Sequence, residues 1–225
     1  MAKWLQKVAK SQLLVPLFAL FLIVVFNLFR DVGFFSLSIT TNNAGNPVLS
    51  GNIISILNGA SELAILAIGM TLVTAACGGQ DISVGALAAI AGSVFVRILR
   101  ENNITMPMIL VAFLASCVVA MIFGAFNGML VAGFKIQPMI ATLILFTAGR
   151  PIAYWINGGA TPTVESPLLG YIGSFIPGVP IPTPIIIVIV FGILVSLLLR
   201  FTNLGLYTQA VGINQKSARL NGINP

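Results

Sequence analysis

Ionisable side chains are scarce in this chain, and two of them, Glu62 and Arg150, stand inside long apolar runs. A charge at the centre of a lipid-embedded helix costs at least about 2.5–3.5 kcal/mol, so such a residue faces protein or a water-filled path. On a helix, Ser55, Asn58, Gly59 and Gly69 share the face of Glu62. That stripe reads either as a buried structural hydrogen-bond network or as the lining of a pathway. Arg150 lies about two thirds along its run and shares a face with Thr142, Gly149, Ala153 and Asn157. Pro151 follows it, removing one helical hydrogen bond and predicting a kink. Opposite charge alone does not place Glu62 and Arg150 in contact. A third candidate is Gly78-Gly79-Gln80-Asp81-Ile82-Ser83-Val84-Gly85, between two apolar runs. Paired glycines end a helix and Asp81 or Ser83 caps the next. The same segment also reads as a broken-helix junction, whose free backbone groups suit a transport cavity.

Bond-making chemistry has little to work with. There is no histidine, which removes the most versatile acid–base group and the commonest metal ligand. Cys77 and Cys117 sit in apolar runs without paired spacing and read as small apolar residues, neither a disulfide framework nor a metal site. No nucleophile–base pair stands out, and no GxxxxGK[ST] phosphate loop occurs. The expectation is a chain that is no enzyme and binds no cofactor or metal.

The elements that must position these residues follow from composition. Apolar residues make up 58% of the chain and charged ones 7%, with a mean hydropathy of +1.05. A water-facing surface needs charge on roughly a quarter of the residues. The apolar runs have the length a hydrocarbon layer of about 30 Å demands. Backbone groups in lipid must be satisfied internally, and runs this continuous are helices rather than barrel strands. The expected fold is all-α, a polytopic transmembrane bundle of about six spans: 13–29, 53–76, 83–99, 107–130, 138–157 and 183–199. The first run, Leu13 to Phe29, is long for a signal peptide, lacks a small-x-small cleavage site after it, and reads as an uncleaved anchor. Loop 31–51 is polar, with Asn42, Asn43, Gly45, Asn46 and Pro47; loop 158–182 is rich in Gly and Pro, with Glu165 its only charge. No internal repeat is evident.

Small residues recur at every fourth position of the fourth run, at Ala112, Ser116, Ala120, Gly124 and Gly128, and predict close helix packing. Gly85, Ala89 and Gly92 predict the same in the third. Residues 202–225 are too polar to span. Within them Asn214 to Gly222 reads as one short exposed helix, with Asn214 as N-cap and Gly222 as the stop, and with Ile213 and Ile223 both touching Ala218. That helix suits either docking to a partner or a plain amphipathic connector.

The net charge of +6 does not signal nucleic acid, because the basic residues are scattered at helix ends. Six alternating spans from a cytoplasmic N-terminus put Lys3, Lys7, Lys10, Lys135, Arg200, Lys216 and Arg219 inside and Arg30, Arg97 and Arg100 outside. The excess of inside over outside basic residues supports that orientation and a cytoplasmic tail.

Three segments together resemble the permease subunits of bacterial ABC importers for monosaccharides, the group that includes ribose, xylose and galactofuranose systems. The first is Ala67-Ile68-Gly69-Met70-Thr71-Leu72-Val73 running into Gly78 through Gly85, against GGIDLSVG in the family. The second is Phe126-Asn127-Gly128 through Lys135-Ile136-Gln137-Pro138, then Ile140-Ala141-Thr142-Leu143 and Arg150. The third is Ala210-Val211-Gly212-Ile213-Asn214 through Ala218-Arg219 to Gly222-Ile223-Asn224, where such permeases carry a cytoplasmic coupling segment. Gln80 departs from the usual aliphatic residue, and Ser217 and Asn221 from an Ala and a Ser often found in the coupling segment.

The resemblance implies one permease domain over 1–225 in the bacterial cytoplasmic membrane, with 202–225 as its coupling segment. The domain is expected to be incomplete at its C-terminus, since family members run on for several more helices; a natural truncation and a fragment are both compatible with that. Pathway or broken-helix candidates are Glu62, Gly78, Gly79, Asp81, Ser83, Gly85, Asn127, Gln137 and Arg150. ATPase-coupling candidates are Gly212, Asn214, Ala218, Arg219 and Gly222. The implied partners are cytoplasmic ABC ATPase subunits, which would use the ATP, a second permease copy (homo- or heterodimeric), an extracytoplasmic sugar-binding protein and membrane lipid. Alternatives are a related permease for nucleosides or branched-chain amino acids, a non-functional remnant, or an intramembrane enzyme, which the lack of histidine and of an activated nucleophile disfavours.

Overall fold

The apolar runs form helices, and the chain is an all-α polytopic membrane bundle with one small β-hairpin, seen in a computed structural model that describes residues 14–31, 33–41 and 46–223. Lys3, Lys7 and Lys10 of the topology signal, Asn42, Asn43 and Gly45 of the first loop, and Asn224 of the third matched segment lie outside the described residues. The helices are α1 (Leu14–Arg30), α2 (Asn52–Cys77), α3 (Val84–Glu101), α4 (Met106–Gly128), α5 (Pro138–Ile156), α6 (Pro167–Gly173), α7 (Thr183–Phe201), α8 (Leu204–Ile213) and α9 (Gln215–Leu220). A helix stands at each of the six expected positions. Among the described residues four helices are long and apolar enough to cross a membrane: α2, α4 with the turn that extends it to Gly133, α5 and α7. Helix α1 has 17 residues, and α3 carries Arg97, Arg100 and Glu101 in its last turns.

Packing divides the helices into two groups. Helix α3 lies against both α4 and α5, while α2 lies against α7 and α8. Ile90, Leu145 and Ala153 form one core between α3 and α5; Leu99, Ile109 and Ala112 form another between α3 and α4, covered by Val164, Leu168 and Leu169. Large apolar side chains point outward over most of the remaining surface, and α1 buries none of its residues. That inversion of a water-soluble surface is what lipid as solvent requires.

Two expectations need correction. The first loop holds strands β1 (Ser38–Thr41) and β2 (Pro47–Ser50), paired antiparallel, and Leu49 N–H donates to the Pro180 carbonyl at 2.8 Å. Thr40, Val48 and their neighbours are good strand formers, so a polar loop between spans is able to pair with itself. Loop 158–182 contains α6, capped by Ser166, which accepts from Leu168 N–H at 3.3 Å. In the tail the expected short helix is present as α9, and a further helix, α8, precedes it. Helix α5 continues past Pro151, which stands inside it.

The small-residue stripes behave unevenly. On α4, Ala112 and Ser116 are buried, whereas Ala120, Gly124 and Gly128 line open space. On α3 the closest approach uses Ala86, and Ala89 packs against the α3–α5 core as expected, but Gly85 and Gly92 do not: a Cβ on Gly149 of α5 would come within 2.6 Å of Ala86 Cβ, while one on Gly85 or Gly92 would meet nothing within 4 Å. Gly149→Leu is therefore expected to destabilise the α3–α5 contact by about 1–3 kcal/mol, and Gly124→Ala to be close to neutral; thermal unfolding of the two variants in detergent checks the contrast.

Candidate functional site

The residues that sequence reading singled out converge where α2 ends and α3 begins. Gly78 terminates α2 in the left-handed region (φ 64°), and its N–H closes on the Thr74 carbonyl at 3.0 Å, a left-handed C-cap. Gly79 follows against α5: a Cβ there would sit 2.9 Å from Cγ of Pro138. Asp81 then forms a turn ahead of α3: its Oδ1 accepts from Ser83 N–H at 2.7 Å and from Ser83 Oγ–H at 2.6 Å. Of the two residues expected to cap, Ser83 stands at the N-cap position but makes no side-chain cap bond.

The turn is bolted to its neighbours by hydrogen bonds. Asn127, at the end of α4, donates from Nδ2 to Ser83 Oγ at 3.0 Å. Thr142 of α5 accepts from Ile82 N–H at 3.2 Å and donates to the Pro138 carbonyl at 2.9 Å. Ser83 is 0% exposed, Thr142 3% and Asn127 6%, while Asp81 is half-buried and borders open space. Asn127 Oδ1 has no partner within it. Beyond Asn127, α4 passes into a π turn over Met129–Gly133, and Lys135 takes a left-handed conformation (φ 55°) before α5 starts at Pro138. Single π turns interrupt helices mostly at functional places.

Above this network lies a cavity of about 610 Å³ bounded by α2, α3, α4 and α5. Its walls are aliphatic, from residues such as Ile65, Met70, Leu87 and Val131, and its polar lining is Asp81, Asn127 and Thr142. The sequence candidates thus separate. Gly79, Asp81 and Asn127 line the cavity, and Ser83 holds two of them in place. Gly78 shapes the turn. Gly85 is exposed with open space around it, and Gln137 is exposed at the start of α5, with no side-chain cap bond. Glu62 is exposed on α2 and forms neither the hydrogen-bond network first weighed for it nor an ion pair with Arg150; the one salt bridge among the described residues joins Arg97 to Glu101. Arg150 is exposed too, beside rather than within the buried face of Thr142, Gly149, Ala153 and Asn157.

The tail meets the same turn from the other side. Gly212, near the end of α8, is pressed on the C-terminal end of α2: a Cβ would overlap the Ala75 carbonyl, and a Cβ on Gly78 would lie 3.2 Å from the Gly212 carbonyl. Gly212 is thus a packing residue. Asn214 caps α9, accepting from Lys216 N–H at 3.0 Å and Ser217 N–H at 3.1 Å. At the far end Gly222 (φ 78°) forms a Schellman stop: Ile223 N–H donates to the Ala218 carbonyl and Gly222 N–H to the Arg219 carbonyl, each at 3.0 Å. Ala218 is buried, Arg219 is exposed, and Ile213, at 85% exposure, makes no staple against Ala218. Sequence reading left Thr142 off the site list, although it stands one turn after Pro138 in a matched segment; the π turn had no signal beyond Gly133.

Residues 52–225 match a family described as branched-chain amino acid transport system, permease component. The galactofuranose transporter permease protein of Escherichia coli (strain K12) is 46% identical over 180 residues, covering 78% of this chain and 50% of that protein. The fructose import permease protein of Bifidobacterium longum (strain NCC 2705) is 34% identical over 227 residues, covering 99% and 61%, and the ribose import permease protein of E. coli (strain K12) is 35% identical over 184, covering 77% and 53%. The chain therefore spans half to three fifths of the length of these relatives. No solved structure matches it. Because Ser83 Oγ bridges Asp81 and Asn127, Ser83→Ala is expected to cost about 1 kcal/mol. A double-mutant cycle with Asn127→Leu, read by thermal unfolding, should show that the two losses are not additive.

Proposed function

Since this chain belongs to the family of branched-chain amino acid transport system permease components, we propose that it is the membrane-spanning permease subunit of an ATP-binding cassette importer that carries a monosaccharide across the bacterial cytoplasmic membrane. The observation that carries the sugar reading is the 46% identity to a galactofuranose permease, supported by the resemblance to fructose and ribose permeases. The chain catalyses nothing and holds no cofactor; ATP is used by cytoplasmic ATPase subunits. A second permease copy completes the pathway, and an extracytoplasmic binding protein delivers the sugar.

In this reading the N-terminus is cytoplasmic. The Gly78–Ser83 turn, the Lys135 turn and α8–α9 then lie together on the cytoplasmic side, which fits their mutual contacts and the basic residues Lys135, Arg200, Lys216 and Arg219. Helix α9 offers a partner Lys216, Arg219 and Leu220, all exposed, between two firm caps. A push on it reaches α8, and α8 touches the end of α2 through Gly212 and Ala75 without an intervening side chain. Backbone against backbone leaves nothing soft to absorb the displacement. The α2 end carries the Gly78 turn, whose next residues are fastened to α4 and α5, so the movement arrives at the walls of the cavity.

Two experiments test this. The transporter reconstituted with its ATPase subunits and binding protein should take up a labelled monosaccharide when ATP is supplied; uptake of leucine and of no sugar would favour the amino-acid reading that the family description suggests. Gly222→Val forces a β-branched residue into the left-handed region, which costs roughly 1–2 kcal/mol and frays the end of α9. ATP hydrolysis should then continue while uptake falls severalfold, whereas full uptake by this variant removes α9 from the coupling path.

A further inference from the structure

We propose that a second cavity, between α3 and α5, is a binding site for a neutral monosaccharide in transit, with Arg150 and Asn157 as its hydrogen-bonding groups and Tyr154 as its apolar platform; this rests on the sugar-import reading above. The cavity measures about 420 Å³ and is bounded by Gly92 and Ser93 of α3, Arg150, Tyr154 and Asn157 of α5 and its end, and Thr161 of the segment that follows. That volume suits a small molecule. Gly92 stands midway along α3, while Asn157 and Thr161 lie at and beyond the end of α5, so the site runs from mid-depth to the end of the bundle away from the Gly78–Ser83 turn.

Asn157 gives the site its demand. It is 7% exposed and lines the cavity, yet its Oδ1 has no hydrogen-bond partner, and its Nδ2 makes a single long bond of 3.5 Å to the Ala153 carbonyl. A buried acceptor left empty is unfavourable, so the site asks for a donor. Arg150 makes the opposite demand: its guanidinium presents five donors in a planar fork, and no carboxylate lines the wall. A hydroxyl both donates and accepts, so one polyol meets both groups, its vicinal oxygens on the fork and a hydroxyl hydrogen on Asn157. A simple carboxylate would satisfy Arg150 and leave Asn157 empty. Ser93 and Thr161 add two more hydroxyl groups of the same double character.

The remaining wall suits the carbon side of a sugar. Tyr154 is 56% exposed, and Gly159 packs beneath its ring, where a Cβ would lie 3.5 Å from a ring carbon. Gly158 and Gly159, at φ 69° and 79°, turn the chain sharply after α5 and bring Thr161 to the opening. Gly92 has no side chain and open space where one would begin, which leaves room for the ligand.

The test uses the assembled transporter in lipid vesicles, with labelled D-ribose, D-fructose and D-galactose as probes. Gly92→Leu projects into the empty volume and is expected to cut uptake at least roughly tenfold. Asn157→Leu removes the polar partner and should raise the KM for uptake roughly five- to tenfold. With Cys77 and Cys117 replaced by Ser, a Thr161→Cys variant should be alkylated several times more slowly when the transported sugar is present. Wild-type uptake by both leucine variants, or alkylation indifferent to sugar, overturns the site while leaving sugar import standing. Protection by D-galacturonate and by no neutral sugar overturns the ligand class. A wild-type transporter that takes up no sugar removes the import reading and this site with it. If Gly92→Leu fails to co-purify with its ATPase subunits, the alkylation result decides alone.

Discussion

The arrangement of this chain hangs on a backbone contact that only glycine permits. At the cytoplasm-proposed end of the bundle, Gly212 of α8 lies on the Ala75 carbonyl of α2, and two residues past α2 Gly79 lies on Pro138 of α5. Lipid supplies no hydrophobic force between helices, so contacts of this kind, small residue against backbone, are what bring them together. Around them the polar groups have only each other. Asp81, Ser83, Asn127 and Thr142 close a network that ties the turn to α4 and α5. With bulkier side chains at 79 and 212 the two helix groups would stand apart, and the cavity above would have no floor.

Under the proposed import role, a passage has to be offered without holding the cargo fast. The larger cavity would meet that demand through aliphatic walls and a polar base, and the smaller one through a few hydroxyls, an amide and a guanidinium. Both are made from positions where the helices diverge rather than pack: Gly124 and Gly128 at one, Gly92 at the other. Glycine here serves two opposite purposes. At 149 and 212 it lets atoms touch, and at 92 and 124 it keeps them away.

That double use explains what was legible in the residues. The spans were, because in lipid a long apolar run has one outcome. The helix start at Ser83 was, because turn chemistry is local. The stop at Gly222 was read from a glycine followed by Ile223, and it holds in detail. The contact of Gly212 with the end of α2 was not, because spacing along one segment does not tell which helix a glycine meets. Glu62 and Arg150 stood out correctly as costly, but whether a charge faces its own chain or beyond it depends on helix neighbours that no spacing rule supplies. The α4 stripe packs at Ala112 and Ser116 but not beyond, as repeat spacing marks a face without telling where the facing helix veers off. The hairpin and α6 arose within polar stretches whose composition signals only an absence of spans. Asn127 came from resemblance; its bond to Ser83 joins residues 44 apart.

Helix α1 stands differently from the rest. None of its residues is buried, and Val15, Phe26 and Phe29 all face outward. Its order therefore comes from the surrounding solvent and owes little to neighbouring helices, since a chain segment in hydrocarbon has no partner for its peptide groups except itself. Its 17 described residues extend over about 25 Å. A bilayer made thicker or thinner thus bears on α1 directly, through tilt and local deformation of the lipid, while the α3-centred packing feels the change only at second hand.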